Sequence, residues 1–151
     1  MDIRTYRLDD AEACLRIFDS NGPEYFASHE RARLTEFLQA PPGNYYVMEK
    51  DGELLGCGGF APCEEPGVVT LTWGMVRRDM HRHGLGRFLL FYRLKEIGKL
   101  PGVSSVKLDT TPIVAGFFEK AGSFRVRGTV ADGFGPGLDR VSMVKKLVVC
   151  E

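Results

Sequence analysis

His81-Arg82-His83-Gly84-Leu85-Gly86-Arg87 stands between two segments of opposite periodicity. Ahead of it, Val68-Val69-Thr70-Leu71-Thr72-Trp73-Gly74-Met75-Val76 is β-branched and aromatic with no breaker before Gly74, which reads as a strand. Behind it, positions 88–97 mix Leu and Phe with Arg, Lys and Glu and read as a helix. A strand that turns through a basic, glycine-bearing loop into a helix is suited to hold an anion. The first helical turn has N–H groups without intrahelical partners, and the aligned peptide dipoles favour negative charge there. Gly84 and Gly86 let a ligand approach the backbone where a Cβ would intrude. Arg77, Arg78, His81, Arg82, His83 and Arg87 crowd the same short span of a chain with no net formal charge. A solvated basic patch has no use for two glycines at this spacing. The stretch reads as a phosphate or pyrophosphate cradle.

The kind of cradle follows by elimination and then by resemblance. Gly86 is followed by Arg87-Phe88 and not by the Lys-Ser or Lys-Thr of a Walker loop. An ATP-binding reading fails on that lysine and on the lack of a Mg²⁺-ligand pattern. The dinucleotide fingerprint would need its third glycine at Leu89. The pattern Val76-x-x-Asp79-x-His81-x-x-Gly84-x-Gly86-Arg87-x-Leu89-Leu90 resembles the acyl-CoA loop of the GNAT superfamily of N-acetyltransferases, written Arg/Gln-x-x-Gly-x-Gly/Ala. Further on, Phe117-Phe118-Glu119-Lys120-Ala121-Gly122-Ser123-Phe124 is similar to the Phe-Tyr-Glu-Lys-x-Gly-Phe segment of that family's last helix.

The chain of 151 residues is expected to be one domain, spanning 1–151. With 44% hydrophobic and 26% charged residues it has ordinary globular composition. Twenty basic residues balance 20 acidic ones, which argues against bulk nucleic acid as a partner. No apolar run is long enough for a membrane span, and charges throughout positions 1–20 leave no signal peptide. The expected location is cytoplasmic. Cys14, Cys57, Cys63 and Cys150 have no CxxC spacing and no nearby histidine pair, so neither zinc nor another metal is expected and reduced thiols are.

Positions 2–7 alternate as a first strand. Asp9 is expected to cap a helix, with Glu12 in a capping-box relation and Ala11, Cys14, Leu15 and Phe18 as its buried stripe. Asn21-Gly22-Pro23 breaks that helix; a second is expected over 23–38, stopped by Pro41-Pro42-Gly43. Strands at 45–50 and 53–60 flank Asp51-Gly52, a preferred pair for a two-residue primed turn. Gly56, Gly58 and Gly59 predict a bulge or a close backbone approach in the second strand. An acidic turn over 62–67 precedes the strand before the cradle. After the long helix come a strand at 103–109, a short helix at 113–121 and a strand at 124–130. A flexible loop over 132–137 and a last strand over 138–149 follow. The order β-α-α-β-β-β-α-β-α-β-β makes a mixed α/β fold, a sheet of about seven strands carrying four helices, and matches the GNAT arrangement.

The resemblance implies splayed strands forming a CoA cleft, with acetyl-CoA as cosubstrate. Backbone groups of Met75 and Val76 would pair with the pantetheine arm. The amides over 82–88 (Arg82, His83, Gly84, Leu85, Gly86, Arg87 and Phe88) would take the pyrophosphate, with the side chains of Arg82 and Arg87 on phosphate. His81 stands where the family has Gln or Arg. Thr111 lies near the family's asparagine for the pantetheine amide, and Phe117 and Phe118 would pack on the cofactor. Phe118 replaces the family's tyrosine acid, so it donates no proton. The strand over 68–76 also lacks the glutamate that family members often carry there. A lysine-like amine costs about 4.6 kcal/mol to deprotonate at pH 7, so a base is useful. Candidates are Glu24, Glu64 and Asp109, with Glu30 and Glu65 beside them. Glu24, Tyr25, Phe26 and Phe134 are expected to meet the acceptor. The implied activity is acetyl transfer to a primary amine of a small molecule or peptide, in a possible homodimer. The alternative is a CoA-binding sensor of the same fold without turnover.

Overall fold

The computed structural model describes residues 1–22 and 25–147. Its elements are β1 (Asp2–Thr5), α1 (Ala11–Asn21), α2 (Glu30–Gln39), β2 (Asn44–Lys50), β3 (Glu53–Pro62), β4 (Val68–Val76), α3 (Leu85–Gly98), β5 (Ser105–Thr110), α4 (Pro112–Gly122), β6 (Arg125–Gly135) and β7 (Leu138–Lys146). The strands form one seven-stranded sheet in the order β1-β2-β3-β4-β5-β7-β6. Every pairing is antiparallel except β4 with β5, which α3 connects as a crossover. Asp51 and Gly52 both take positive φ, as the primed hairpin turn requires.

Each face of the sheet carries a helical layer. Leu90 and Ile97 of α3 and Ala115 of α4 pack with Tyr46, Val69, Leu71, Val106, Leu108 and Met143. Cys14, Ile17 and Phe18 of α1 and Leu34 and Leu38 of α2 pack on the other face with Tyr45, Val47, Cys57 and Met75. Along a regular strand, Val69, Leu71, Trp73 and Met75 would share one face. Here the first two belong to the α3 layer and the last two to the α1 layer. The flip occurs where Gly59 pairs with Thr72 and Cys57 with Met75, so that Gly58 alone opposes Trp73 and Gly74. This is a β-bulge, and Trp73 carries its strain at φ 34°. The glycines over 56–59 thus mark a bulge as expected, with a second register shift at Met48/Glu49.

Several boundaries differ from expectation, each for a local reason. Asp10, not Asp9, stands at the N-cap of α1, and its carboxylate bonds no helix amide; Oδ2 instead accepts the Arg7 amide at 2.8 Å and closes the turn before the helix. The second helix starts at Glu30 and not at 23. Residues 27–30 close on themselves, the Ala27 amide donating to Glu30 Oε2 at 3.2 Å and the Glu30 amide to the Ala27 carbonyl at 3.0 Å. The long helix starts earlier, at Leu85, because Gly84 in the left-handed region caps it. The stretch expected as a flexible loop over 132–137 is the closed end of the β6–β7 hairpin. There Asp132 accepts the Gly137 amide at 2.8 Å and Asp139 accepts the Asp132 amide at 2.9 Å. The expected end of the last strand at 148–149 lies outside the described residues.

Asp10 is 6% exposed and takes two 2.9 Å bonds from the Arg4 guanidinium, which also reaches Glu49 at 3.0 Å. This network ties β1, the turn before α1, and β2 together. Arg4, helped by the Arg7 amide and opposed by burial, holds the Asp10 carboxyl below its ordinary pKa. Asp10→Ala is therefore expected to cost about 2–3 kcal/mol at neutral pH, since it leaves a half-buried guanidinium short of a partner. A depressed native pKa contributes stability above the ordinary aspartate value, about 3.9, and loses it as pH falls through the native value. Urea melts from neutral pH downward should show the two proteins converging in acid; a constant gap would contradict the assignment.

Candidate functional site

β4 and β5 pair only from Val68–Thr70 to Ser105–Lys107. Beyond Thr70 the strands part, while β5 stays bonded to β7 through Thr110. The gap is a cleft of about 850 Å³ whose walls include Leu71 to Val76 on one side and Leu108 to Thr110 on the other. The first turns of α3 and α4 and the segment after α1 complete it.

The basic loop forms the outer end. Arg82 and Gly84 sit in the left-handed region at φ 66° and 80°, a conformation that costs a non-glycine residue about 1–2 kcal/mol. Successive amides of such a turn converge on a concavity suited to anions. His81, Arg82, Gly84, Gly86 and Arg87 line the cleft. The amides of Leu85, Gly86 and Arg87 are the first of α3 and have no helical acceptor. The Phe88 amide does, donating to the Gly84 carbonyl at 3.0 Å, and its ring is 47% exposed. The expected run of binding amides therefore ends at Arg87. The His83 and Leu85 side chains are not part of the cleft wall. The Val76 carbonyl is likewise engaged, accepting Asn21 Nδ2 at 2.9 Å and facing His81 Nε2 at 2.9 Å. Arg77 is held by Asp79 at 2.6 Å and Glu53 at 3.4 Å, away from any phosphate role.

The middle of the cleft is the bulge. The carbonyls displaced from the ladder are taken over by side chains: Tyr45 donates its hydroxyl to Trp73 O at 2.8 Å, and Arg93 Nη1 donates to Gly59 O at 3.3 Å. Arg93 comes from α3 and lies against Gly58 and Gly74; a Cβ at Gly74 would meet its guanidinium nitrogens at 2.9 and 3.1 Å. It is 3% exposed, and burial pulls its pKa down to about 10. Burial also raises the Tyr45 phenol well above its ordinary value. Three buried polar atoms have no partner among the described residues: Thr72 Oγ1, Arg93 Nε and Thr111 Oγ1. All three residues line this cleft. Phe117 and Phe118 line it from α4, their rings 5.2 Å apart.

The inner wall and mouth come from the acceptor-side segments. Phe26 stacks on Phe18 at 5.0 Å and stands 6.3 Å from Trp73. Tyr25 packs edge-on to His81 at 5.2 Å with Arg78 over its ring at 5.1 Å, so it touches the basic loop as well as the mouth. Phe134 reaches the cleft from the end of β6. Of the candidate bases, Glu24 lies outside the described residues. Glu64 and Glu65 sit on an exposed turn and do not reach the cleft. Asp109 lines it and accepts Ser142 Oγ at 2.7 Å. Glu30 lines it too, 6% exposed, with its pKa raised by burial against the opposing Ala27 amide. The described residues contain no cluster of His, Cys, Asp or Glu that could hold a metal.

Arg93 and Tyr45 are the residues that sequence reasoning missed. A signal for Arg93 was present: it falls in the buried stripe Leu89, Leu90, Arg93, Ile97, a charge where helical periodicity calls for an apolar side chain. Tyr45 carries no such mark, because its role depends on which strand residue bulges.

Solved structures of three acetyltransferases share this architecture. An aminoglycoside 6'-N-acetyltransferase complexed with coenzyme A is 16% identical, with a TM-score of 0.79 over 100% of this chain and 99% of its own. A ribosomal-protein-alanine N-acetyltransferase from Brucella melitensis is 21% identical, with a TM-score of 0.71 over 97% and 100%. An IAA acetyltransferase from Bacillus cereus is 17% identical, with a TM-score of 0.74 over 97% and 99%. At such identities the likeness establishes the fold alone. No curated protein sequence matches the chain. The profile of the acetyltransferase (GNAT) family matches residues 14–122, from the first helix through the last and over every residue lining the cleft but Phe134. The chain belongs to the GNAT family of acetyltransferases.

Proposed function

We propose that the protein transfers an acetyl group from acetyl-CoA to a primary amine by direct attack of the amine on the thioester. The observation that carries this reading is the distribution of unsatisfied groups along one cleft. Free amides and Arg82 and Arg87 lie at its outer end, and Thr72, Arg93 and Thr111, each with a buried polar atom that lacks a partner among the described residues, are among the residues that line it. Buried polar atoms are ordinarily bonded, so this set suits a long ligand with an anionic head and a polar arm. Acetyl-CoA has that form and supplies a thioester as acyl donor. Thr111 would take an amide of the arm, and Phe117 and Phe118 would pack along it.

Glu30 is the best-placed general base. Burial brings its pKa toward the working pH, which favours proton transfer, and a carboxylate at the mouth attracts an ammonium group. Asp109 adds a second negative charge there. The surrounding Phe26, Phe37, Trp73 and Phe134 suit an acceptor whose amine is carried on an apolar or aromatic body. Phe118, which lacks the hydroxyl of a phenolic acid, is what favours the sensor reading; a buried base facing the same cleft favours turnover.

Two expected outcomes follow from this reading. CoA at about 100 times its Kd should stabilise the protein by about 2.7 kcal/mol, or about 5–10 °C in Tm, and ATP should not. Gly84→Val forces a β-branched residue to φ 80° and puts its methyls beside the cradle. It should fold yet lose at least about tenfold in CoA affinity, since each charge-assisted bond is worth about 1.5–3 kcal/mol. Wild-type CoA affinity in this variant would count against the cradle. Glu30→Gln should keep the CoA-induced Tm shift and lose about 10²–10³ in kcat/KM for the amine near pH 7. The raised pKa places the lost acidic limb of the pH–rate profile above the ordinary glutamate range. An unchanged rate and limb in this variant would move the base to Asp109 or to water.

A further inference from the structure

We propose that Arg93 holds the departing sulfur as a thiolate, doing electrostatically what a phenolic acid at position 118 would do by proton donation. This rests on the acetyl-CoA reading above. Within that reading the position of the sulfur follows from the shape of the cleft. The phosphates lie at the N-terminus of α3, beside Val76, so the arm enters there and runs inward along the free edge of β4 toward the crotch at Thr70. From Val76 to Leu71 the strand covers about 17 Å, and the arm runs along it. The bulge at Trp73 and Gly74 lies midway, where this proposal places the thioester, with Arg93 packed against Gly74.

The surroundings of Arg93 support an anion at this place. The groups that face it on the packed elements are the Tyr45 phenol of β2, which burial raises, and the Cys57 thiol of β3, which its hydrogen bonds with Cys14 and Tyr45 and the charge of Arg93 lower against burial. No carboxylate among the described residues pairs with it: Glu30 bonds the Ala27 amide, and Asp109 bonds Ser142. Among the described residues its hydrogen bond is the 3.3 Å contact to Gly59 O, and Nε is left over. A buried charge is retained at a cost unless it is paired and bonded. In the proposed step the amine nitrogen forms a bond to the thioester carbon, and an N–H proton passes to Glu30. The C–S bond then breaks with its electron pair going to sulfur. Arg93 faces the charge that appears there, and no proton is needed.

The test compares CoA with desulfo-CoA, which has the same arm without the sulfur. An opposite charge within about 4–6 Å lowers a pKa by about 1–3, so CoA bound to the wild type should titrate that far below the ordinary thiol value of about 8.5. The titration is read from thiolate ultraviolet absorbance. At pH 9, CoA should then bind more tightly than desulfo-CoA. Arg93→Met should return the bound thiol to its ordinary value, erase that preference and lower kcat by about 10–100-fold, with desulfo-CoA affinity retained and Tm lowered by the loss of the Gly59 carbonyl's donor. Arg93→Lys should keep part of the thiol shift, which a packing role would not. The proposal is overturned if the bound thiol titrates alike in wild type and Arg93→Met, or if CoA and desulfo-CoA lose affinity equally. Wild-type protein that binds neither compound removes the acetyl-CoA reading itself. Wild-type protein that binds both equally, with an unshifted thiol, removes only the role of Arg93.

Discussion

Gly58 opposing both Trp73 and Gly74 is the constraint on which the rest of the site depends. A continuous ladder would leave β4 flat, with Trp73 and Met75 on the α3 face beside Leu71. The extra residue turns them to the α1 face, where Trp73 meets Phe18, Phe26 and Phe37 and forms part of the cleft wall. The same displacement takes carbonyls out of the ladder, and buried carbonyls need donors. Tyr45 supplies one from the α1 face and Arg93 one from the α3 face. The glycines are what make this approach possible. A Cβ at Gly59 would collide with the Asn44 carbonyl and Tyr45 Cα, and one at Gly58 would sit 3.3 Å from the Arg93 guanidinium carbon.

Much of this could be read from the chain because it depends on local chemistry. Asp51-Gly52 specifies a primed turn through backbone conformations that few other pairs tolerate. Gly84 and Gly86 specify a helix start with exposed amides, and both line the cleft. The clustering of glycines over 56–59 predicted a bulge or a close approach in β3; the extra residue lies in β4, at Trp73 and Gly74, opposite Gly58. What was misread was settled by competition between neighbours. The pattern pointed to Asp9, but Asp10 takes the place before α1 because Arg4 of β1 bonds it while also reaching Glu49 of β2. Residues 132–137 look flexible by composition, yet two aspartates bond back onto the turn and keep the hairpin closed.

The candidate site was legible in its outer half and obscure in its inner half, for a physical reason. Phosphate recognition uses amides of consecutive residues, which a motif can encode. The inner half gathers groups from β2, β3, β4, α2 and α3, whose meeting is a consequence of topology. Glu30 was one of several acidic residues in the sequence, and only its burial distinguishes it from Glu64 and Glu65. Tyr25, Arg78 and His81 show the two halves in contact. A change at Tyr25 therefore bears on the cradle as well as on the acceptor, unlike one at Phe134.

The distribution of unsatisfied groups also says how stability and function are divided in this fold. Both packed layers away from the cleft are apolar, and the Arg4–Asp10–Glu49 network fastens the edge of the sheet. Thr72, Arg93 and Thr111, which hold the unpaired buried atoms among the described residues, all line the cleft. A methionine in place of Arg93 would remove a desolvated charge and with it the donor to the Gly59 carbonyl. Leu89, Leu90 and Ile97 anchor the helix apart from it. The guanidinium occupies the space a side chain at position 74 would use. A charge that the free protein holds at a cost on the wall of this cleft is what the proposed thiolate would pair.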